Sequence, residues 1–164
     1  QDKNVAGLAF EAGKPMIILY NKWDVADKES LTPDELKTYL RNQMQYLSYA
    51  PMLFISAKTG RKVQDILPLV TEVYESSTRR IQTSVLNEVI HEAVVRTPPP
   101  SHQGHVLKVF YASQVAVQPP TFVVFVNDPE LCHFSYLRYL ENSLREAFDF
   151  TGTPIRILLR KRGN

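Results

Sequence analysis

Two short runs of uninterrupted apolar residues, each leading into a polar turn, constrain this chain more than anything else in it. Met16-Ile17-Ile18-Leu19-Tyr20 is the first and Met52-Leu53-Phe54-Ile55 the second. A run with no polar alternation predicts a strand buried on both faces, as in a parallel sheet. Between the two, Asn21 to Ser30 reads as a polar loop and Thr32-Pro33-Asp34-Glu35 as a complete helix start. Thr32 caps, Pro33 takes the first turn and Glu35 closes a capping box. Leu36, Leu40, Met44 and Leu47 continue as a helical stripe until Pro51. After the second run, Thr59 to Lys62 turns into another helix, with Val63, Ile66, Leu67, Val70, Val73 and Tyr74 at spacings of three and four. Strand, helix, strand, helix in that order predicts right-handed parallel crossovers and an α/β sheet. Doubly wound sheets use about five or six strands, so these two are expected to be part of one.

The flanks agree with that reading. Residues 2 to 12 are weakly helical, with Val5, Leu8, Ala9 and Ala12 on one face, and Gly13-Lys14-Pro15 is a stop signal with Gly as the left-handed cap. The chain opens at Gln1 with no initiator Met or signal-like segment and reads as helix almost at once. We therefore expect a piece entered midway along a longer chain.

The character changes from Ser76 to Thr83, a polar stretch holding Arg79-Arg80. We place a boundary there, giving a first domain over residues 1–80 and a second over 81–164. Leu86, Val89, Ile90, Ala93 and Val94 mark a helix, which Thr97-Pro98-Pro99-Pro100-Ser101 ends as an extended loop. Val106 to Ser113 and Thr121 to Val126 read as strands, and Asn127-Asp128-Pro129 as a turn. Phe134, Leu137, Leu140, Leu144, Ala147 and Phe148 form a last helical stripe, and Ile155 to Leu159 a last strand. The expected order is α-β-β-α-β, a layer of helices on a small α+β sheet.

Composition removes whole classes. Hydrophobic residues make up 44% of the 164 and charged residues 22%, which excludes a disordered tail, a collagen-like fibre and a coiled coil. Apolar runs such as Phe122–Val126 are strand-sized, far from the ~20 residues of a membrane helix, so no membrane partner is expected. Cys132 stands alone, which excludes an internal disulfide. A net charge of +2 is too mild to imply nucleic acid by itself. His91, His102, His105 and His133 lack metal-ligand spacing, and no metal site is expected in this chain.

Chemistry concentrates in two loops. Asn21-Lys22-Trp23-Asp24 follows the first apolar run directly and Ser56-Ala57-Lys58 follows the second. Open α/β sheets bind ligands at the carboxyl ends of their strands, so the loops should be neighbours at a ligand site. A guanine base explains both. Its N1–H and 2-amino group are adjacent donors, and an ionised Asp24 accepts from both. Asn21 can bond the base and tie the loops together, and the stems of Lys22 and Lys58 can cover its two faces. The Ala57 N–H can donate to the guanine carbonyl, and Ser56 belongs to the same loop. Adenine lacks the donor pair, and a site built on such a bond can reject the wrong ligand by ~10⁴-fold.

These two motifs resemble the last two guanine-specificity motifs of translation-factor-type GTPases. Over essentially the whole chain, the pattern also resembles the bacterial double-GTPase family called Der or EngA. The resemblance is carried by Glu11-Ala12-Gly13-Lys14-Pro15, the two loops, Thr97-Pro98-Pro99-Pro100, Phe125-Val126-Asn127-Asp128-Pro129 and Gly152-Thr153-Pro154-Ile155-Arg156. It implies two tandem GTPase domains and a K-homology-like domain, a cytoplasmic setting, GTP or GDP as ligand and a role in assembling the large ribosomal subunit. Residues 1–80 would then be the second half of the second GTPase domain and 81–164 the K-homology-like domain. The earlier GTPase portions of the same chain and the ribosome or its RNA would be partners.

Some family parts are not in this sequence. Gly7 to Lys14 has the wrong spacing for a phosphate loop, lacks its hydroxyl residue and precedes the strand. Asp149-Phe150-Thr151-Gly152 spells a switch motif in the wrong domain and reads as coincidence. The chain alone is thus expected to be inactive, with Mg²⁺ relevant only to the full-length protein. It also holds no G-x-x-G, the usual RNA clamp of K-homology domains. Arg156, Arg160, Lys161 and Arg162, with Arg79-Arg80 at the boundary, are the candidate phosphate contacts, against a reading as solvated charge on an edge strand. The tyrosines and phenylalanines of the second domain read mostly as core. The alternative overall reading is a stand-alone RNA- or protein-binding module with no nucleotide function.

Overall fold

The two apolar runs pair as the pattern predicts. In the computed structural model, which describes residues 2–26, 32–44, 47–102 and 104–163, β1 (Ile18–Tyr20) runs parallel to β2 (Met52–Phe54). The register is Ile18 to Met52, Leu19 to Leu53 and Tyr20 to Phe54. The expectation of burial on both faces is corrected for β1: Leu19 and Tyr20 are exposed, because the pair stands as a two-stranded sheet among the described residues.

Helix α1 (Asp2–Glu11) ends at Gly13, whose φ of +68° is the left-handed cap expected there. The Lys14 N–H closes the cap on the Ala9 carbonyl at 2.9 Å. Its Val5 and Leu8 are exposed. Helix α2 (Pro33–Gln43) starts on the capping box: the Glu35 N–H donates to Thr32 Oγ1, and the Thr32 N–H donates to Glu35 Oε2 at 2.8 Å. It stops before the end of its stripe, at a cap on Met44, while Leu47 is buried beyond it. Residues 27–30 of the expected polar loop lie outside the described residues. Helix α3 (Ile66–Thr78) follows a short 3₁₀ turn over Val63–Asp65. Of its apolar stripe Val73 is buried, whereas Val63, Leu67, Val70 and Tyr74 are exposed.

The chain forms two units. The first takes the residues up to Ser77 and, in addition, Phe150–Pro154. That returning segment is bonded into it, with the Met16 N–H on the Gly152 carbonyl at 2.7 Å and the Gly152 N–H on the Tyr49 carbonyl at 2.9 Å. Gly152 has φ +76°, and a Cβ there would collide with the Val73 side chain, so both backbone and space require glycine.

The second unit takes Thr78–Asp149 and the residues from Ile155 on. Helix α4 (Thr83–Arg96) is followed by a hairpin of two short strands, β3 (Ser101–His102) and β4 (His105–Val106), which starts where the expected Pro-rich loop ends. β5 (Val109–Ala116), β6 (Thr121–Val126), helix α5 (Phe134–Ala147) and β7 (Arg156–Lys161) complete it. β6 is central, antiparallel to β5 and parallel to β7. The unit's buried apolar residues include Leu86, Ile90, Ala112, Phe122, Val124, Val126, Leu140 and Leu144.

The expected strand from Val106 to Ser113 is broken at Leu107-Lys108. Asn127 causes the break: its Oδ1 accepts from the Lys108 N–H at 2.8 Å and its Nδ2 donates to the Val106 carbonyl at 3.0 Å. A side chain thus takes bonds that a strand neighbour would make. Asn87 of α4 does the same for the outer edge of β5, bonding both the N–H and the carbonyl of Ala112 at 2.8 and 2.9 Å. β5 is therefore a covered edge, and β7 is the charged one.

Candidate functional site

The loop after β1 and the loop after β2 are fastened to each other. Parallel pairing brings their starts together, and the backbone continues the link: the Ile55 N–H donates to the Tyr20 carbonyl at 2.9 Å and the Trp23 N–H to the Ile55 carbonyl at 3.0 Å. Lys22 between them sits at φ +63°, a left-handed turn that a β-strand residue rarely adopts. Asn21 Oδ1 accepts from its neighbour's N–H, on Lys22, at 2.8 Å and from the Ala57 N–H at 3.0 Å. The expected tie between loops by Asn21 is thus present. It is made with the Ala57 N–H that was assigned to a base carbonyl, so that group serves the protein itself in this structure.

Ser56 is fully buried and its hydroxyl donates to Asp24 Oδ1 at 2.6 Å. The Thr59 N–H donates to the same hydroxyl at 3.2 Å, completing a relay from backbone through serine to carboxylate. Asp24 is half-buried, and a carboxylate has about four acceptor sites, so one donor from Ser56 orients it and leaves capacity for two more. Lys22 and Lys58 are exposed in the two loops. A tight turn supports the second loop: Ser56 bridges to Arg61, with Gly60 at φ +75°.

Trp23, the residue between Lys22 and Asp24, anchors the first loop. It is 6% exposed and clusters with Leu36 of α2 and Phe54 of β2, its ring centroid 4.9 Å from that of Phe54. Tyr20 meets it edge-on at 6.0 Å. Sequence reasoning passed over Trp23 because only its neighbours carry polar chemistry. A lone tryptophan inside a polar turn was the available signal.

The basic cluster lies on and after β7. Arg156, Leu158, Arg160 and Lys161 are exposed, while Ile157 and Leu159 are half-buried, as two-residue alternation expects. Arg162 follows the strand, and its guanidinium lies 5.0 Å above the Phe110 ring. Arg79 separates from this group, since its Nε donates to the Asp149 carbonyl at 3.0 Å. The reading of the aromatics as core holds for Phe122, Tyr136 and Phe150 and is corrected for Phe110, Tyr111 and Phe134, which are exposed. Tyr111 stacks on Phe125, centroids 4.4 Å apart and rings inclined by 17°, and Arg160 is paired with Phe125 in the β6–β7 register.

Other candidates are structural. His133 caps α5 by accepting from the Ser135 N–H. Burial pushes the Cys132 thiol up, which disfavours its thiolate. Burial, with Tyr139 nearby, pushes the Tyr136 phenol up to about 12, and it donates to the Thr97 carbonyl. Among the described residues no cluster of His, Cys, Asp and Glu could hold a metal ion, and no helix is long and apolar enough to cross a membrane.

Comparison with known proteins points the same way as the geometry. Residues 80–160 match the family model described as the KH-domain-like domain of EngA bacterial GTPase enzymes, C-terminal. Proteins named GTPase Der are similar over 162 residues, 99% of this chain: 58% identical in Lactobacillus johnsonii, 55% in Staphylococcus carnosus and 54% in Bacillus cytotoxicus. The chain spans 37% of the length of each of those relatives. With those matches added to the paired strands, the two joined loops and the three-stranded second unit, the chain belongs to the EngA (Der) family, and residues 80–160 carry its KH-domain-like domain.

Proposed function

We propose that this chain is the guanine-reading and RNA-facing part of a cytoplasmic GTPase that acts in assembly of the large ribosomal subunit. The observation that carries the nucleotide half is the Ser56–Asp24 hydrogen bond at 2.6 Å, joined by the Asn21–Ala57 bond at 3.0 Å. Together they hold an acceptor-only carboxylate ready for two adjacent donors, which is the edge guanine presents. Lys22 and Lys58 flank the base with their alkyl stems. GTP or GDP is read here at its base end only. The phosphates and Mg²⁺ are held by other portions of the full-length protein, and the chain by itself contributes no group to phosphoryl transfer. The second unit presents Arg156, Arg160, Lys161 and Arg162 to RNA phosphates of the ribosomal particle, with each contact adding ~0.7–0.9 to the salt slope.

Substitution of Asp24 by Asn in the full-length protein tests the base reader. Xanthine carries a carbonyl where guanine has its 2-amino group, and the Asn amide can donate to it. The Asp24→Asn protein should lose GTP affinity by roughly tenfold or more and gain affinity for xanthosine triphosphate, measured by titration calorimetry. Unchanged GTP affinity would remove Asp24 from the base edge and favour a binding module without nucleotide function.

A further inference from the structure

We propose that the cleft beside Phe110 at the end of the β5–β6–β7 sheet takes one unpaired nucleotide of a single-stranded RNA, its base stacked on the Phe110–Arg162 pair and its phosphate held by Lys161 and Arg162. The inference rests on the RNA-facing reading of the second unit and specifies where that unit grips the strand.

The cleft has a volume of about 440 Å³ and is lined by Phe110, Asn127, Lys161, Arg162 and Gly163. That is within the ~300–1,000 Å³ of ordinary small-ligand pockets. A β-bulge builds it. Val109 lies opposite Val126 and Tyr111 opposite Phe125, so Phe110 is the extra residue on its strand. Bulges re-aim a side chain, and here the result is a phenyl ring 42% exposed at the sheet's end. Arg162 is past the strand, yet its N–H is fixed on the Val126 carbonyl at 2.9 Å, which holds its guanidinium over the ring. Both ends of the Asn127 amide are consumed by Lys108 and Val106, so that wall is rigid rather than adaptable.

Charge and shape select the occupant. Among the described residues no carboxylate lies within ion-pair distance of Arg160, Lys161 or Arg162. Their charge therefore remains available to an anion. A planar guanidinium over an aromatic ring is a stacking surface as well as a charge, and an unpaired base can extend that stack. The neighbouring Tyr111–Phe125 stack with Arg160 beside it repeats the combination one row along the sheet. Paired RNA keeps its bases inside the helix and would use only the charges. An acidic peptide would likewise use the charges and leave Phe110 idle.

Fluorescence anisotropy on the full-length protein distinguishes these cases, with a labelled oligouridylate, a fully paired RNA hairpin and polyglutamate as probes. Phe110→Leu keeps an apolar side chain at an exposed position, and an unchanged thermal unfolding midpoint confirms its fold. It should weaken oligouridylate binding by about fivefold or more, the size of one lost base–aromatic stack, and leave hairpin affinity and salt slope as they were. Arg162→Lys should weaken oligouridylate with the slope preserved, because the charge stays and the planar stack goes. Replacing Arg160, Lys161 and Arg162 together by Ser should lower the slope by about 2. If Phe110→Leu binds oligouridylate like wild type while the triple variant does not, the basic edge stands and the stacking cleft is refuted. If the wild-type protein binds oligouridylate no better than polyglutamate, the RNA reading falls and the cleft with it.

Discussion

The two units of this chain differ in how fully they bury their apolar residues. In the second unit Leu86, Ile90, Phe122, Val124, Leu140 and Leu144 are almost inaccessible, and the edge of β5 is finished by the Asn87 side chain. In the first, Val5, Leu8, Leu19, Leu67, Val70 and Tyr74 are exposed. Its buried apolar residues include the small set of Trp23, Leu36 and Phe54 that anchors the loop at residues 21–24. The same sequence rules wrote both: helical stripes and apolar strands occur in each. What differs is cover. A parallel strand pair needs packing on both faces, whereas a three-stranded sheet with helices on it has a core of its own.

Hydrogen exchange offers the largest test of that contrast. Amides of β6 should exchange orders of magnitude more slowly than those of β1, because the former open only with the whole unit. Equal protection in Ile18–Tyr20 of the isolated chain would break the comparison.

Truncations follow in size. Leu140→Ala, in a fully buried position, should cost about 2–5 kcal/mol by denaturant unfolding. Leu67→Ala, at a residue 75% exposed, should stay within about 0.5 kcal/mol in the isolated chain. If Leu67→Ala costs clearly more in a full-length protein, the exposed stripe of α3 is a docking face for another part of that protein. If the cost is the same in both, it is ordinary surface.

Ser56→Ala sharpens the contrast inside the first unit. Removing the hydroxyl leaves Asp24 without its oriented donor, and bonds to charged groups are worth about 1.5–3 kcal/mol. Guanine-nucleotide affinity of the full-length variant should fall accordingly in calorimetric titration, with partial exposure of Asp24 keeping the loss toward the low end. Wild-type affinity would show that Ser56 does not position the carboxylate.

The smallest effect is at the start of α2. The Thr32 backbone N–H, and then its hydroxyl, hold the Glu35 carboxyl below its ordinary 4.5. A depressed folded-state pKa means the contribution is present above the ordinary value and is lost as pH falls through the depressed one. Helix content near α2, followed by NMR, should therefore drop slightly on the acid side of 4.5. Glu35→Gln should abolish that step and Thr32→Ala only shrink it, since the backbone donor remains.

Much of the local structure is legible in the sequence. The Thr32–Glu35 box, the Gly13 cap and the β1–β2 crossover depend on residues close in sequence or on an apolar pattern, and each reads directly. The two polar loops stood out in the sequence because each directly follows an apolar strand run, and the structure joins them through the Ser56–Asp24 and Asn21–Ala57 hydrogen bonds. The break at Leu107-Lys108 was not legible, because it is made by Asn127, whose amide acts through space. Nor was the anchoring of Trp23, which depends on where α2 and β2 lie.

By itself, then, the sequence determined most of the helices, the parallel strand pair and which loops follow those two strands. These are local or periodic properties, set by backbone preference and by the chemistry of each residue. Tertiary structure alone decided that Ser56 holds Asp24, that Phe150–Pro154 closes onto the first unit, that Phe110 is turned outward by a bulge and that Arg162 lies above its ring. Each of those depends on residues distant in the chain meeting at a few ångströms. Such distances follow from how elements pack, and periodicity does not encode them.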